Sequence, residues 1–298
     1  MGSPQDHAYR LLNEYANGFM VSQVLFAACE LGVFDVLAEA REALDSAAVV
    51  ACLGTSSRGT QLLLDTCASL KLLKVEVRGG KAFYQNTELS SAYLARGSPT
   101  SQCNMLLYLA RTTYRCWGHL AEAVREGKNQ YLQAFGVPSE ELFSAIYRSE
   151  GERLRFMRGL QEVWSVAGRR VLAAFDLSQF PAICDLGGDF FQDPLPEADL
   201  YILARVLHDW TDEKCSQLLQ RIQRTCRPGG GVLVVESLLA EDGQGPVATQ
   251  LFSLNMLLQT EGQERTPAQY RTLLSSAGFH GFQVNKTGAI YDAILARN

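Results

Sequence analysis

The sequence predicts two domains: a mainly α-helical winged-helix unit over residues 1–100 and an α/β unit with a parallel-type sheet over residues 101–298. Three observations carry this. The 298 residues exceed the usual single-domain size. The first hundred residues run with a helical period that switches to a period of two at a hairpin. In the second half, short apolar strands alternate with amphipathic helices, the pattern of crossovers on a parallel sheet.

In order, residues 8 to 39 read as helix. Leu11, Leu12, Tyr15, Phe19 and Met20 form one stripe that Val24, Leu25, Ala28 and Cys29 continue, with a break near Gly32 and Asp35. Asp45 caps a helix through Val50 that Gly54 ends, and Ser57 caps the next, with Leu62, Leu63, Thr66, Cys67 and Leu70 inward. Leu73, Val75 and Val77 alternate with polar residues, Arg78, Gly79 and Gly80 turn, and Ala82 to Tyr84 return. Helix, turn, helix, hairpin is a winged-helix order. Its second helix carries Arg58, Asp65 and Lys71, nearly neutral, whereas phosphate contacts need clustered cations. The apolar stripe points instead to a subunit interface.

Residues 97 to 101 mark a boundary, followed by helices near 102–126, 139–149 and 151–175, with Ser139, Glu140 and Glu141 as a helix start. Strands follow at 182–186, 200–207 and 232–235. Thr211 caps a helix with an apolar face of Cys215, Leu218, Leu219, Ile222 and Cys226, and Thr266 with Pro267 opens another that Gly278 closes. A terminal hairpin spans 281–287 and 290–296.

A net charge of −5 and a pI near 5.5 argue against a nucleic-acid partner. The cysteines have no zinc-like spacing and read as reduced core residues of a cytosolic, cytoplasmic protein. The N-terminus has no apolar signal segment, and no stretch approaches 18 apolar residues, so no membrane partner is expected. No metal is expected either, because no His, Asp and Glu set has ligand spacing.

One crossover fails. Between Gly187 and Asp199 there is too little chain for a helix and two loops, although parallel neighbours are usually joined through a helix. Gly187 and Gly188 look like the start of a glycine-rich, ligand-approaching loop that stops after two residues. Two missing helix–strand units would amount to roughly 40 residues. The strand at 182 would then lie at or near a sheet edge.

Asp185-Leu186-Gly187-Gly188, Asp189-Phe190-Phe191 and Leu203-Ala204-Arg205-Val206-Leu207-His208-Asp209-Trp210 resemble motifs of the hydroxyindole and plant-type O-methyltransferases. So do Tyr15 to Gln23 and Gln259 to Thr266. The resemblance covers both ends without shift and breaks only between Gly188 and Asp189. There the family carries the rest of its glycine loop and a strand ending in a ribose-binding acid. The chain thus resembles a splice-type variant with an internal deletion. The resemblance implies an N-terminal winged-helix dimerisation domain, a C-terminal Rossmann-like domain and a homodimer. It also implies S-adenosylmethionine-dependent methylation of the 5-hydroxyl of N-acetylserotonin and related hydroxyindoles, to melatonin. By matching motifs, Tyr147, Trp164, Gly187, Gly188, Asp189, Phe190 and Arg205 face the cofactor, Asp209, Asn255 and Gln259 face the substrate, and His208 is the base, with Glu264 orienting it.

The residue types suit that chemistry. A phenol-like hydroxyl with a pKa near ~10 needs a base as the bond forms, and an imidazole near ~6.5 is suitably poised. His208 follows the C-terminal end of a predicted strand, where open α/β sheets place their sites. Arg205, inside an apolar strand, needs a partner such as Asp189 or a ligand carboxylate. Asn255 and Gln259 share one helical face. Plainer readings exist for each: a capped surface turn at His208 and Asp209, packed core at Trp164 and Phe190, a polar stripe at Asn255. The deletion leaves two main readings, an O-methyltransferase with little or no activity or a non-catalytic dimerisation partner. A winged-helix DNA binder is disfavoured by the neutral helix.

Overall fold

The computed structural model describes residues 4–138 and 146–298, so the helix start expected at Ser139 lies outside the described residues. The chain divides into two compact units, Met1–Thr112 with Gly151–Ser165, and Thr113–Glu150 with Val166–Asn298.

In the first unit, α1 (Pro4–Leu31) and α2 (Val33–Glu39) are separated by Gly32, whose φ of +82° permits the break. Asp45 caps α3 (Ser46–Leu53) by accepting from the Ala48 amide, and Gly54 closes it in the left-handed region. The cap of α4 (Ser57–Ser69) is Ser56, one residue before the expected Ser57. Its buried face is Thr60, Leu64 and Cys67, whereas Leu62 and Thr66 are exposed. Spacing of four and three residues repeats along that line, so the inward face is rotated from the sequence expectation. The hairpin forms as expected from β2 (Leu73–Arg78) and β3 (Lys81–Asn86), with β1 (Leu44–Asp45) on the other side of β3. Both turn residues, Gly79 and Gly80, have positive φ, as a two-residue hairpin turn requires. Short α5 (Glu88–Tyr93) follows. On α1, Ala28 and Cys29 are buried, but Leu12, Tyr15, Phe19 and Met20 are at least half exposed.

The helix expected over 102–126 is broken into α6 (Cys103–Tyr108), a π-turn (Leu109–Thr113), α7 (Tyr114–Trp117) and α8 (Leu120–Glu126). After α9 (Tyr131–Phe135), the long α10 (Glu150–Leu172) contributes to both units.

The second unit holds a five-stranded sheet in the order β4-β5-β6-β8-β7. Parallel pairs join β4 (Ile183–Asp185), β5 (Ala198–Ala204) and β6 (Cys226–Glu236). Antiparallel pairs add β8 (Asp292–Arg297) and β7 (His280–Asn285). The β5–β6 crossover runs through α11 (Asp212–Thr225), capped by Thr211, with Cys215, Leu218, Leu219 and Ile222 buried. Further helices are α12 (Val247–Gln259) and α13 (Pro267–Ser276), the latter with a capping box from Thr266 and Gln269. From β4 to β5 the chain forms turns and no helix. β4 is therefore an edge: its Ile183 is 47% exposed, while Leu200 and Leu203 of β5 are fully buried.

That difference has a measurable consequence. Leu233→Ala, in the centre of β6, should cost about 2–5 kcal/mol in urea unfolding, and Ile183→Ala well under half of that. Equal losses would show that β4 is covered.

Candidate active site

The site sits at the carboxyl ends of β5 and β6, where parallel sheets leave a crevice. β5 ends at Ala204. Arg205 then takes a left-handed conformation, φ +58°, with its amide bonded to the Val235 carbonyl at 2.9 Å. This conformation is strained for a residue with a side chain, and such strain concentrates at functional sites. It leads into a short 3₁₀ turn, Leu207–Asp209, that carries His208.

The side chains form one charged cluster. Glu236, fully buried at the end of β6, faces both Arg205 and His208. Its Oε2 lies 2.9 Å from Arg205 Nη1 and 3.0 Å from His208 Nδ1. The Nδ1 contact is off the line of a good hydrogen bond, so ionic attraction rather than a directed bond holds that pair. Oε1 of Glu236 accepts from the His208 amide at 3.3 Å. On the other ring nitrogen, Nε2 is 3.3 Å from Asp209 Oδ1. Glu264 is also buried, but its carboxylate takes a bidentate grip on Arg205, at 2.9 and 3.2 Å. Tyr291 presents its ring to the same guanidinium at 5.1 Å.

Thus the carboxylate beside Nδ1 is Glu236, where the sequence reading put Glu264. The partners of Arg205 are Glu236 and Glu264, where Asp189 or a ligand was expected. Glu236 closes the apolar run of β6, and that position is the signal that could have found it: a charge ending a buried strand needs a partner.

The electrostatics follow from burial and charge. Burial and Arg205 would lower the His208 imidazole, but Asp209 and Glu236 outweigh them and hold it above its ordinary value. Burial would raise Glu236, yet His208 and Arg205 hold it below the carboxylate range. Burial dominates at Asp209 and raises it.

Asn255 and Gln259 are brought together on α12, with Gln259 Nε2 donating to Asn255 Oδ1 at 2.6 Å. Trp117 Nε1 donates to the same oxygen at 3.0 Å, and the Tyr131 hydroxyl donates to Gln259 Oε1 at 3.2 Å. Trp117 and Tyr131 were missed in the sequence, because an aromatic in a helix reads as core. The Asn255 oxygen is occupied by two donors, which fixes the amide.

The expected cofactor residues are less united. Tyr147 is half-buried in the second unit, and Trp164 is half-buried in the part of α10 that belongs to the first. Gly187 and Gly188 are exposed beyond β4. Asp189 folds onto its own turn: its Oδ1 accepts from the amides of Phe191 and Gln192 at 3.1 and 3.2 Å. The Asp189 amide is donated to Asp193 Oδ2 at 3.0 Å. Phe190 lies edge-on to Trp210 at 6.4 Å, and Phe191 at 4.9 Å. These residues do not fit a sulfonium nucleoside with a carboxylate. The amides of Asp189, Phe191 and Gln192 are taken by the carboxylates of Asp193 and Asp189, and no helix follows to present further N–H groups. Among the described residues, no strand neighbours the outer side of β4 to carry an acid for ribose hydroxyls. Among the described residues no group of side chains could hold a metal ion.

The second unit is an α/β domain with a charged cluster at the carboxyl ends of its parallel strands, and comparison with known proteins identifies its family. The O-methyltransferase domain matches residues 117–188 and 187–280, and the O-methyltransferase dimerisation domain matches residues 13–96. The chain belongs to the O-methyltransferase family. It is 66% identical to acetylserotonin O-methyltransferase of Homo sapiens and 49% identical to that of Gallus gallus, with 100% of each chain covered. The crystal structure of human N-acetylserotonin methyltransferase in complex with SAM superposes with a TM-score of 0.97, covering 100% of this chain and 99% of that one. The alignment with the human sequence runs to 344 positions against 298 residues here, an excess close to the block expected to be missing.

The charge cluster makes stability depend on pH. A folded imidazole with a raised value stabilises fully below the ordinary histidine value, about 6.5, and loses this as pH rises through the folded value. The lowered Glu236 acts in the opposite sense, stabilising above its ordinary value and losing this as pH falls through the folded one. Urea midpoints of the parent and His208→Gln should therefore differ most near pH ~5.5 and converge in alkali. A difference that stays constant up to pH ~9 would contradict a charged His208 in this cluster.

Proposed function

We propose that this chain carries the acid–base half of an N-acetylserotonin O-methyltransferase site without the half that holds its cofactor, so that methyl transfer is lost or strongly impaired. O-methyltransferases of this family use S-adenosylmethionine as the methyl donor. The single observation that carries the reading is the turn after β4. Its Asp189, Phe191 and Gln192 amides are taken by the carboxylates of Asp193 and Asp189, and the sheet ends beside it. The break between the two O-methyltransferase matches at residues 187–188 supports an internal deletion between Gly188 and Asp189 within a domain spanning 101–298.

The retained half has assignable roles. His208, in its neutral form, would take through Nε2 the proton from the 5-hydroxyl of N-acetylserotonin, with Glu236 balancing the imidazolium that forms. Asp209, Asn255 and Gln259 would hold the hydroxyindole, whose amide suits the fixed Asn255 and Gln259 pair. Of the expected cofactor residues, Arg205 is spoken for by two carboxylates, and Phe190 lies edge-on to Trp210.

A second reading is that the chain acts as a non-catalytic homodimer or as a dimerisation partner of an intact relative. The exposed Tyr15, Phe19 and Met20 of α1, within the matched dimerisation domain, favour it. Both readings share one assembly, in which a pair of 1–100 domains associates. Light scattering at micromolar concentration should give a dimer, and Phe19→Glu should give a monomer; a monomeric parent would remove this reading.

Losing two hydrogen bonds to charged groups, about 1.5–3 kcal/mol each, weakens binding on the order of 100-fold or more. Calorimetric titration with S-adenosylmethionine should accordingly show weak or no binding, and labelled cofactor should give little methylated N-acetylserotonin. Low-micromolar affinity with steady product formation would overturn the proposal.

A further inference from the structure

We infer that Arg265, seated beside Gly262, is the positioning residue that sets the His208 turn, and hence the placement of the imidazole against its carboxylates. The inference rests on His208 being the base.

Arg265 is 1% exposed, among the most deeply buried large side chains of the described chain, and its guanidinium is spent on the turn. Nη1 donates to the Leu207 carbonyl at 2.9 Å and Nη2 to the Trp210 carbonyl at 2.8 Å. These two carbonyls flank His208 and Asp209. Nε and Nη2 also donate to Asp212 Oδ1 at 2.9 and 2.7 Å, which ties the fork to the first turn of α11. Nη1 further reaches the Gln263 carbonyl at 3.3 Å. A planar fork of five N–H donors can hold two carbonyls and a carboxylate together; an ammonium, a point charge, cannot.

Gly262 closes the other side. A Cβ there would lie 2.0 Å from the His208 carbonyl oxygen and 2.6 Å from the backbone of Asp209 and Trp210. The loop after α12 therefore presses its backbone against the turn that Arg265 grips. Neither residue touches the imidazole. They act by fixing where the ring stands relative to Glu236 on β6, Asp209 on its own turn and Arg205 at the end of β5, the charged groups that face it.

The test reads the imidazole itself and needs no catalysis, so it is separable from whether the chain methylates anything. The proton titration of His208 is followed by NMR in the full chain, its signal assigned by loss in His208→Gln. In the parent the midpoint should lie above the ordinary imidazole value of about 6.5. Arg265→Lys and Gly262→Ala should each move it by roughly half a pH unit or more toward that ordinary value, because the ring drifts from Glu236. Asp212→Asn alters only the solvent-facing anchor of the fork and should fold; it should give a smaller shift of the same sign. Leu295→Ala, a core truncation in β8 away from the turn, should lower the melting temperature and leave the midpoint in place. If the Arg265, Gly262 and Asp212 variants that fold keep the parent midpoint, the inference is overturned. If Leu295→Ala shifts it equally, Arg265 is no more than a structural residue.

Discussion

A buried carboxylate governs this site. Glu236 has no exposure, and a charge taken from water is tolerated only when it is paired. It is paired twice, with Arg205 and with His208, and those pairings account for much of the local geometry. Arg205 adopts a left-handed backbone at the strand end, where its side chain meets Glu236 and Glu264. His208 is buried on a turn that sets Nδ1 against the same carboxylate, leaving Nε2 toward Asp209. Removing any one charge would leave its neighbours unbalanced in a low-dielectric setting, so the cluster stands or falls together.

The cluster is also built independently of the short connection after β4. Each member comes from β5, β6, the loop after α12 or the turn before β8, all C-terminal to Gly188. The contacts that define it do not cross the β4–β5 connection. The cofactor side is different in kind. On the proposed reading it would draw on backbone N–H groups at the end of β4 and on a strand beyond it, and β4 is the edge of the sheet here. Phe190 and Phe191 now pack on Trp210, and Asp189 satisfies its own turn, so the short connection is locally satisfied.

Much of this was legible in the sequence, for definite reasons. Period and capping residues placed α3, α11, α13 and the hairpin, because Asp45, Thr211, Thr266 and the Gly79-Gly80 pair are local signals whose effects are local. The edge position of β4 followed from counting residues between Gly187 and Asp199. The face of α4 was misplaced because Leu62, Leu63 and Leu64 adjoin, and composition cannot choose among neighbours. The pairing of Glu236 with His208 joins residues far apart in sequence, as does that of Trp117 with Asn255, and no local pattern encodes either. Motif resemblance singled out His208 and Arg205, which share the charged cluster, but gave Glu264 the place beside Nδ1 that geometry gives Glu236.

On the proposed reading the chain retains the base and lacks the cradle for the methyl donor. Inserting between Gly188 and Asp189 the residues that the human relative carries there, then measuring methyl transfer to N-acetylserotonin, tests it most directly. Transfer should appear in the restored chain, and His208→Ala should reduce its kcat by roughly 100-fold, with a smaller change in cofactor affinity. A restored chain that binds S-adenosylmethionine tightly yet transfers no methyl group, or transfers it equally well without His208, would contradict it.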